Sequence, residues 1–203
     1  MTKRNPKQER ARRKVDEIIR TTSRIIEEGR FHEATTHSIA KEAGVGVGTI
    51  YEYFDSKEDI VISLLEQETR ALWGRIEQHV PDWIEMDTVA ALESFVTVLV
   101  DLAFEKRGLA QVMFGYVPGL MHREPVVQLR GQAEMLVKLL LGRQAFASNQ
   151  EVRDTNAFMM ANALIGVLLG IGQGVPSTVT RESLVQQLSR VFRLLVEHQE
   201  EIL

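Results

Sequence analysis

An all-α fold is predicted for this chain by three observations. Apolar residues recur at three- and four-residue spacing from Val15 to Val196, the period of a helix with one buried face. Helix-opening Ser, Thr and Asp and helix-stopping Gly and Pro separate those stretches. No segment shows the two-residue alternation of a half-buried strand. The pattern divides into a three-helix N-terminal domain, residues 1–55, and a helical C-terminal domain, residues 56–203, with about nine helices in all.

In chain order, residues 1–7 are expected to lack regular structure, and a first helix is predicted over 8–28. It carries Val15, Ile18, Ile19, Thr22, Ile25 and Ile26 on one face and is stopped by Gly29. Phe31 then plugs the base of the domain. Thr35 or Thr36 caps a second helix with Ile39, Ala40 and Ala43 inward, because a hydroxyl there accepts an orphaned backbone N–H. Gly44 ends it, since glycine enters the left-handed conformation without a side-chain clash. Residues 47–54 form one or two further turns, Ile50 and Phe54 facing inward. Ser56 to Asp59 opens the next helix as a capping box. That helix, 56–79, carries Ile60, Leu64, Leu65, Leu72 and Ile76, and Pro81 is expected to terminate it. It starts in one domain and ends in the other, so it is a candidate lever between them.

Beyond Pro81 the predicted helices cover 87–106, capped by Asp87, then 108–115, 125–146, 149–172 capped by Asn149, and 180–201 capped by Thr180. Residues 116–125, with two prolines, are expected to be a loop. The helix over 149–172 is apolar nearly all round and should be buried on more than one side, with Gly166 and Gly170 admitting another backbone closely. The last helix sets Leu184, Leu188, Val191, Phe192, Leu195 and Val196 on one face. Two such helices from each of two protomers would make a four-helix interface; an ordinary internal core is the alternative. The interface residues expected are Ala161, Gly166, Gly170, Leu184, Leu188, Val191, Phe192 and Leu195.

At 203 residues, 44% hydrophobic and 26% charged, the composition is that of a globular protein with a real core. Zero cysteines exclude disulfides, thiolate metal sites and cysteine nucleophiles. No apolar run reaches the roughly 18 residues expected of a spanning helix, and the N-terminus is not a secretory signal, so a cytoplasmic protein without a membrane partner is expected. Net charge is −4, unevenly spread. Residues 1–14 hold seven basic side chains (Lys3, Arg4, Lys7, Arg10, Arg12, Arg13, Lys14) against Glu9, hence +6, which leaves −10 for the remainder. A basic arm on an acidic body suits phosphate contact at one end.

Helix, tight glycine turn and short helix is the layout of a helix-turn-helix, whose second helix enters the DNA major groove. The exposed positions of that helix carry Thr49, Tyr51 and Tyr53, with Lys57 heading the next, and hydroxyls beside a cation suit phosphate oxygens. The stretch resembles the DNA-binding domain of the tetracycline-repressor (TetR) family of bacterial transcription regulators. The likeness rests on Ile39-Ala40, Ala43-Gly44-Val45, Gly48-Thr49-Ile50-Tyr51, Tyr53-Phe54 and Ser56-Lys57-Glu58. It implies DNA contacts from Thr35, Thr36, Val47, Gly48, Thr49, Tyr51, Tyr53 and Lys57, with Val47, Gly48 and Thr49 at the base-facing tip. It further implies a homodimer paired through the two C-terminal helices, a palindromic operator mirroring the two-fold, and repression relieved by a small-molecule effector.

The apolar effector pocket that the resemblance implies has as candidate lining Trp83, Phe95, Phe104, Met113, Phe114, Tyr116, Met121, His122, Met135, Met159 and Asn162. Such Met- and Phe-rich walls suit a hydrophobic or aromatic molecule, and Asn162 is singled out because an amide amid apolar neighbours needs a partner. One departure stands out: Gly46-Val47 occupies the place where many relatives carry Ser-Lys or Ser-Arg, so a basic contact to guanine is missing. The five histidines are scattered and no phosphate loop or nucleophile motif occurs, so no cofactor, metal or catalysis is expected. The competing readings are a helical small-molecule-binding or enzymatic protein whose helix-turn-helix is only structural, and an interaction protein using its last two helices.

Overall fold

The computed structural model describes residues 6–142 and 150–197, the side chains of Pro6, Lys7, Gln8, Met113 and Phe114 excepted. Nine α-helices and no strand occur among these residues: α1 (Pro6–Glu27), α2 (Thr36–Glu42), α3 (Val47–Tyr53), α4 (Lys57–Glu85), α5 (Thr88–Glu105), α6 (Arg107–Tyr116), α7 (Glu124–Leu141), α8 (Gln150–Gln173) and α9 (Arg181–Glu197). The expected loop after α6 contains a 3-10 turn, Leu120–His122, entered through Gly119 at φ 64°. Helix α1 starts at Pro6, two residues earlier than expected; proline is tolerated in a first turn because its missing N–H would have no partner there. The expected end at Phe146 and cap at Asn149 lie outside the described residues.

Most helix starts follow local chemistry. Thr35, Ser56 and Asp87 each accept from a backbone N–H of the first turn. Thr180 and Ser183 cap α9 reciprocally, at 3.1 Å and 3.0 Å. Pro81 does not terminate α4, which runs on to Glu85. A proline inside a helix costs about 3 kcal/mol. The turn beyond it carries Trp83, 1% exposed, whose indole donates to Ser94 Oγ at 2.8 Å and meets Phe95 edge-on at 5.5 Å. Burying a tryptophan contributes about as much as the proline removes, so the helix continues.

The buried apolar side chains form two clusters. The first joins α1, α2 and α3 to Ile60, Val61, Leu64 and Leu65 of α4, and takes in Leu109, Val117, Leu120 and Val126. The second runs from Ile76 and Trp83 through α5, α7, α8 and α9. Packing therefore changes hands on α4 between Leu65 and Ile76, beyond residue 55, and α6 with its following loop reaches back to close the N-terminal cluster.

Helix α8 has the length and hydropathy to cross a membrane, the one such helix among the described residues, against the expectation that no run was long enough. Its composition follows from packing on several sides, since α5, α6 and α7 all lie against it. The close approach is at Gly172, where an added Cβ would sit 2.1 Å from that of Ala110 on α6. Gly166 and Gly170 face open space in the protomer.

Candidate functional site

The reading head is built from short-range chemistry. Thr35 Oγ1 accepts from the Ser38 N–H at 3.1 Å while Ser38 Oγ accepts from the Thr35 N–H at 2.9 Å, which fixes the start of α2. Gly44, at φ 65°, turns the chain, and the Val45 N–H closes on the Ala40 carbonyl at 3.0 Å. Gly46 precedes α3 without a side-chain cap, its carbonyl accepting from Thr49 N–H at 2.8 Å. Ile39, Ile50 and Phe54 are buried as expected.

What remains outward is a small surface. Gly48 and Tyr51 are exposed, and Thr36 and Thr49 are half-buried. The hydroxyls of Thr36 and Tyr51 lie 3.0 Å apart and join α2 to α3. Val47 and Tyr53 are half-buried against the core cluster, and burial, followed by the neighbouring Glu52, pushes the Tyr53 phenol pKa up. His37 and Lys41 also lie exposed on α2, held on its outer face by the burial of Ile39 and Ala40. Arg10, Arg12, Arg13 and Lys14 stand exposed on the first turns of α1, Arg13 pairing with Glu9 at 3.1 Å. Lys3, Arg4 and the side chain of Lys7 lie outside the described residues.

Lys57 does not point outward as expected of a phosphate contact. Its ammonium donates to the Ala34 carbonyl at 3.0 Å and the Phe31 carbonyl at 3.4 Å. It also sits 4.9 Å from the Phe31 ring centroid and 5.0 Å from that of Tyr116. Phe31 and Tyr116 themselves meet edge-on at 5.1 Å. One cation thus clamps the start of α4, the α1–α2 loop and the end of α6 together.

The residues expected to line a pocket do not converge. Trp83 and Phe95 fill the second core, Tyr116 belongs to the clamp, and Met135 and Met159 are 70% and 49% exposed. Met121 and His122 are exposed in the 3-10 turn, and Met113 and Phe114 lie outside the described side chains. Asn162 donates to Phe158 O of its own helix at 2.8 Å; the buried amide is Asn156, which ties α8 to α9 through Leu195 O at 3.1 Å.

A different cavity, about 300 Å³, lies between α4, α5, α6, α7 and α8, walled by leucines that include Leu65, Leu72, Leu99, Leu102, Leu129 and Leu168. Its size is at the lower end for small-molecule sites, about 300–1,000 Å³. Glu68, Arg75 and Lys106 supply its charged rim. It adjoins a polar groove of about 570 Å³ with which it shares Glu68, Lys106 and Leu109, and which Phe104 also lines. Among the described residues no His, Asp and Glu cluster suits a metal ion.

On the outer side, α8 exposes Phe158, Met159, Ala163 and Gly166, and α9 exposes Val191 and Leu194. Of the expected interface set, Gly166 and Gly170 lie open on α8 and Val191 is exposed on α9. Ala161 and Phe192 are buried within the protomer, and Leu184, Leu188 and Leu195 are half-buried against its core.

Helix-turn-helix head, connecting helix and separate apolar cavity together define a ligand-responsive class of DNA-binding regulator. Residues 18–64 match the family described as bacterial regulatory proteins, tetR family. That segment spans the helix-turn-helix head, which makes the chain a TetR-like DNA-binding transcriptional regulator. It is 39% identical over 71 residues to the fatty acid metabolism regulator protein of Bacillus subtilis, an alignment covering 35% of this chain and 37% of that protein, so it spans little more than a third of that relative's length. It is 27% identical over 166 residues to the nucleoid occlusion factor SlmA of Pasteurella multocida, covering 79% and 81%. The fold matches that of Thermus thermophilus FadR, a repressor solved with lauroyl-CoA, at TM-score 0.64 and 20% identity over 91% of this chain and 94% of that one.

Proposed function

We propose that the chain is a cytoplasmic, non-catalytic homodimeric repressor that binds a palindromic operator and is released by an effector with a long apolar chain. One observation carries this reading. Helix α6 walls the leucine cavity with Leu109 and Ala110 and, at its other end, holds the reading head through Tyr116, Phe31 and Lys57. A molecule filling the cavity shifts α6, and the shift reaches the head without passing through solvent. The effector acts only as far as it binds one conformer better than the other.

The leucine walls favour aliphatic chains over the aromatic ligand that Met- and Phe-rich walls suggested, and the Thermus relative's lauroyl-CoA is of that class. Thr36, Gly48, Thr49 and Tyr51 form the DNA-facing surface in this reading. Without a basic residue at Gly46-Val47, base readout leans on methyl and hydroxyl contacts and on DNA shape. The outward face of α8 and α9, with its two open glycines, is the dimer seam. Selection of bound sequences from a random duplex pool, repeated with acyl compounds of increasing chain length, tests the whole. An inverted repeat lost on addition of one chain-length class is the result expected. Recovery of no preferred sequence overturns it.

A further inference from the structure

Two ion pairs cross the gap between α4 and the end of α5 at the seam where the leucine cavity meets the polar groove. Arg75 of α4 donates to Glu105 at 2.8 and 3.3 Å. Lys106 donates to Glu68 of α4 at 3.0 Å. Glu68 and Arg75 lie seven residues apart, two turns on one face of α4, so the pairs run side by side with opposite polarity. Arg75 and Lys106 line the cavity, while Glu105 and Lys106 line the groove. Arg107, also on the groove, makes no ion pair among the described residues, whereas Glu27 across it accepts from Ser23 Oγ at 3.2 Å.

We infer that these pairs form a clasp, and that the effector is an amphipathic anion whose chain enters the leucine cavity while its head takes Arg75 and Lys106 from their carboxylates. The inference rests on the effector reading above. The walls offer an apolar chain contacts without unmet hydrogen bonds, and the rim alone can recognise a head. All four clasp residues reach solvent, their side chains between 24% and 52% exposed. Exposed ion pairs contribute little net stability, so exchanging one carboxylate for another is cheap. A guanidinium offers a planar fork that matches a carboxylate or phosphate head, and Arg107, which makes no ion pair among the described residues, is a third cation at the same mouth, balanced by the Glu27 carboxylate. Because each pair joins α4 to the α5–α6 junction, the exchange also loosens the helix that carries the reading head.

The test is calorimetric titration of the full-length protein with four dodecyl compounds: dodecanoate, lauroyl-CoA, dodecanol and dodecyltrimethylammonium, with operator release measured in parallel. The expected result is that an anion binds at least about tenfold more tightly than dodecanol, the worth of a hydrogen bond to a charged group. Tighter binding of lauroyl-CoA than of dodecanoate assigns the head to a phosphate-bearing conjugate, and the reverse to a free acid. Arg75→Met with Lys106→Met should bring the anions down to the level of dodecanol. Glu68→Gln with Glu105→Gln, which frees both cations, should tighten them. Equal binding of dodecanol, tighter binding of the ammonium compound, or an anion preference that survives the double Met variant overturns the clasp and leaves the effector reading standing. Binding of none of the four overturns both.

Discussion

The hydroxyls of Tyr51 and Thr36 lie 3.0 Å apart, so the recognition helix is tied to the first turn of the helix before it by side chains that both face outward. An exposed hydrogen bond of this kind contributes about 1 kcal/mol or less. Its larger effect is to hold the Tyr51 ring, 53% exposed, in one orientation over the surface proposed to face DNA. Tyr51→Phe is expected to leave the melting temperature nearly unchanged and to weaken operator binding roughly three- to tenfold. A double-mutant cycle with Thr36→Val measures the coupling, and additive losses in operator affinity would show that the two hydroxyls act separately.

Lys57→Met separates two roles. A phosphate contact would show normal folding and a salt dependence of binding flatter by about one unit. The clamp geometry instead predicts a loss of about 2 kcal/mol in unfolding free energy, because two carbonyls lose a donor and two rings lose their cation. Operator affinity falls as a consequence, with the salt slope kept. Denaturant melts and salt titrations of the same preparation distinguish the cases.

Arg30 binds Glu42 through Nη1 at 3.0 Å and Nη2 at 3.2 Å, joining the α1–α2 loop to the end of α2. That hydrogen bonding holds the Glu42 carboxyl below its ordinary value of 4.5. A carboxylate with a depressed folded-state pKa contributes stability above its ordinary value, and loses it as pH falls through the folded one. Arg30→Gln should therefore lower the melting temperature at pH 7, and the gap from wild type should narrow as pH falls below 4.5 and through the depressed folded value. A gap constant across the acid range would assign the Arg30 contribution to packing instead.

The helices and the turn were legible because their signals are local. Thr35, Ser56, Asp87 and Thr180 cap helices within three residues of themselves, and Gly29 and Gly44 adopt the positive φ that ends one. Lys57 was not legible, because its partners Phe31 and Ala34 lie 26 and 23 residues away and are carbonyls, which every residue possesses. The cavity was missed for a related reason. Periodicity says which residues turn inward but not whether they fill the space they reach: Trp83 and Phe95 fill theirs, while the leucines of α4, α5 and α8 leave a void. Pro81 misled because its local penalty was plain and the offsetting burial of Trp83 depends on helix α5.

Gly172 and Gly166 lie on the same helix and should respond oppositely. A methyl at Gly172 would meet Ala110 Cβ at 2.1 Å, which forces α6 away from α8 and should destabilise by about 1–3 kcal/mol. Gly166→Ala meets nothing within 4 Å in the protomer and, in a chain kept monomeric by charges placed in the proposed seam, should gain about 1 kcal/mol of helix propensity. Urea midpoints of the two variants give the comparison. Because α6 also closes on Phe31, Gly172→Ala should weaken operator binding more than its stability loss alone implies.

The proposed dimer seam makes the last prediction. Phe158 of α8 and Val191 of α9 are 56% and 51% exposed, and Gly166 and Gly170 of α8 have open space above them. Pairing two copies there removes those side chains from water, and a glutamate at each position would place four like-charged groups in the seam. Phe158→Glu with Val191→Glu should leave the protomer folded, since neither side chain contributes to its buried core, but shift the solution mass from twice the protomer to one. A single reading head touches half the phosphates of a paired one, so the salt dependence of operator binding should fall to about half its slope. A double variant that remains dimeric with full slope would move the seam to another face.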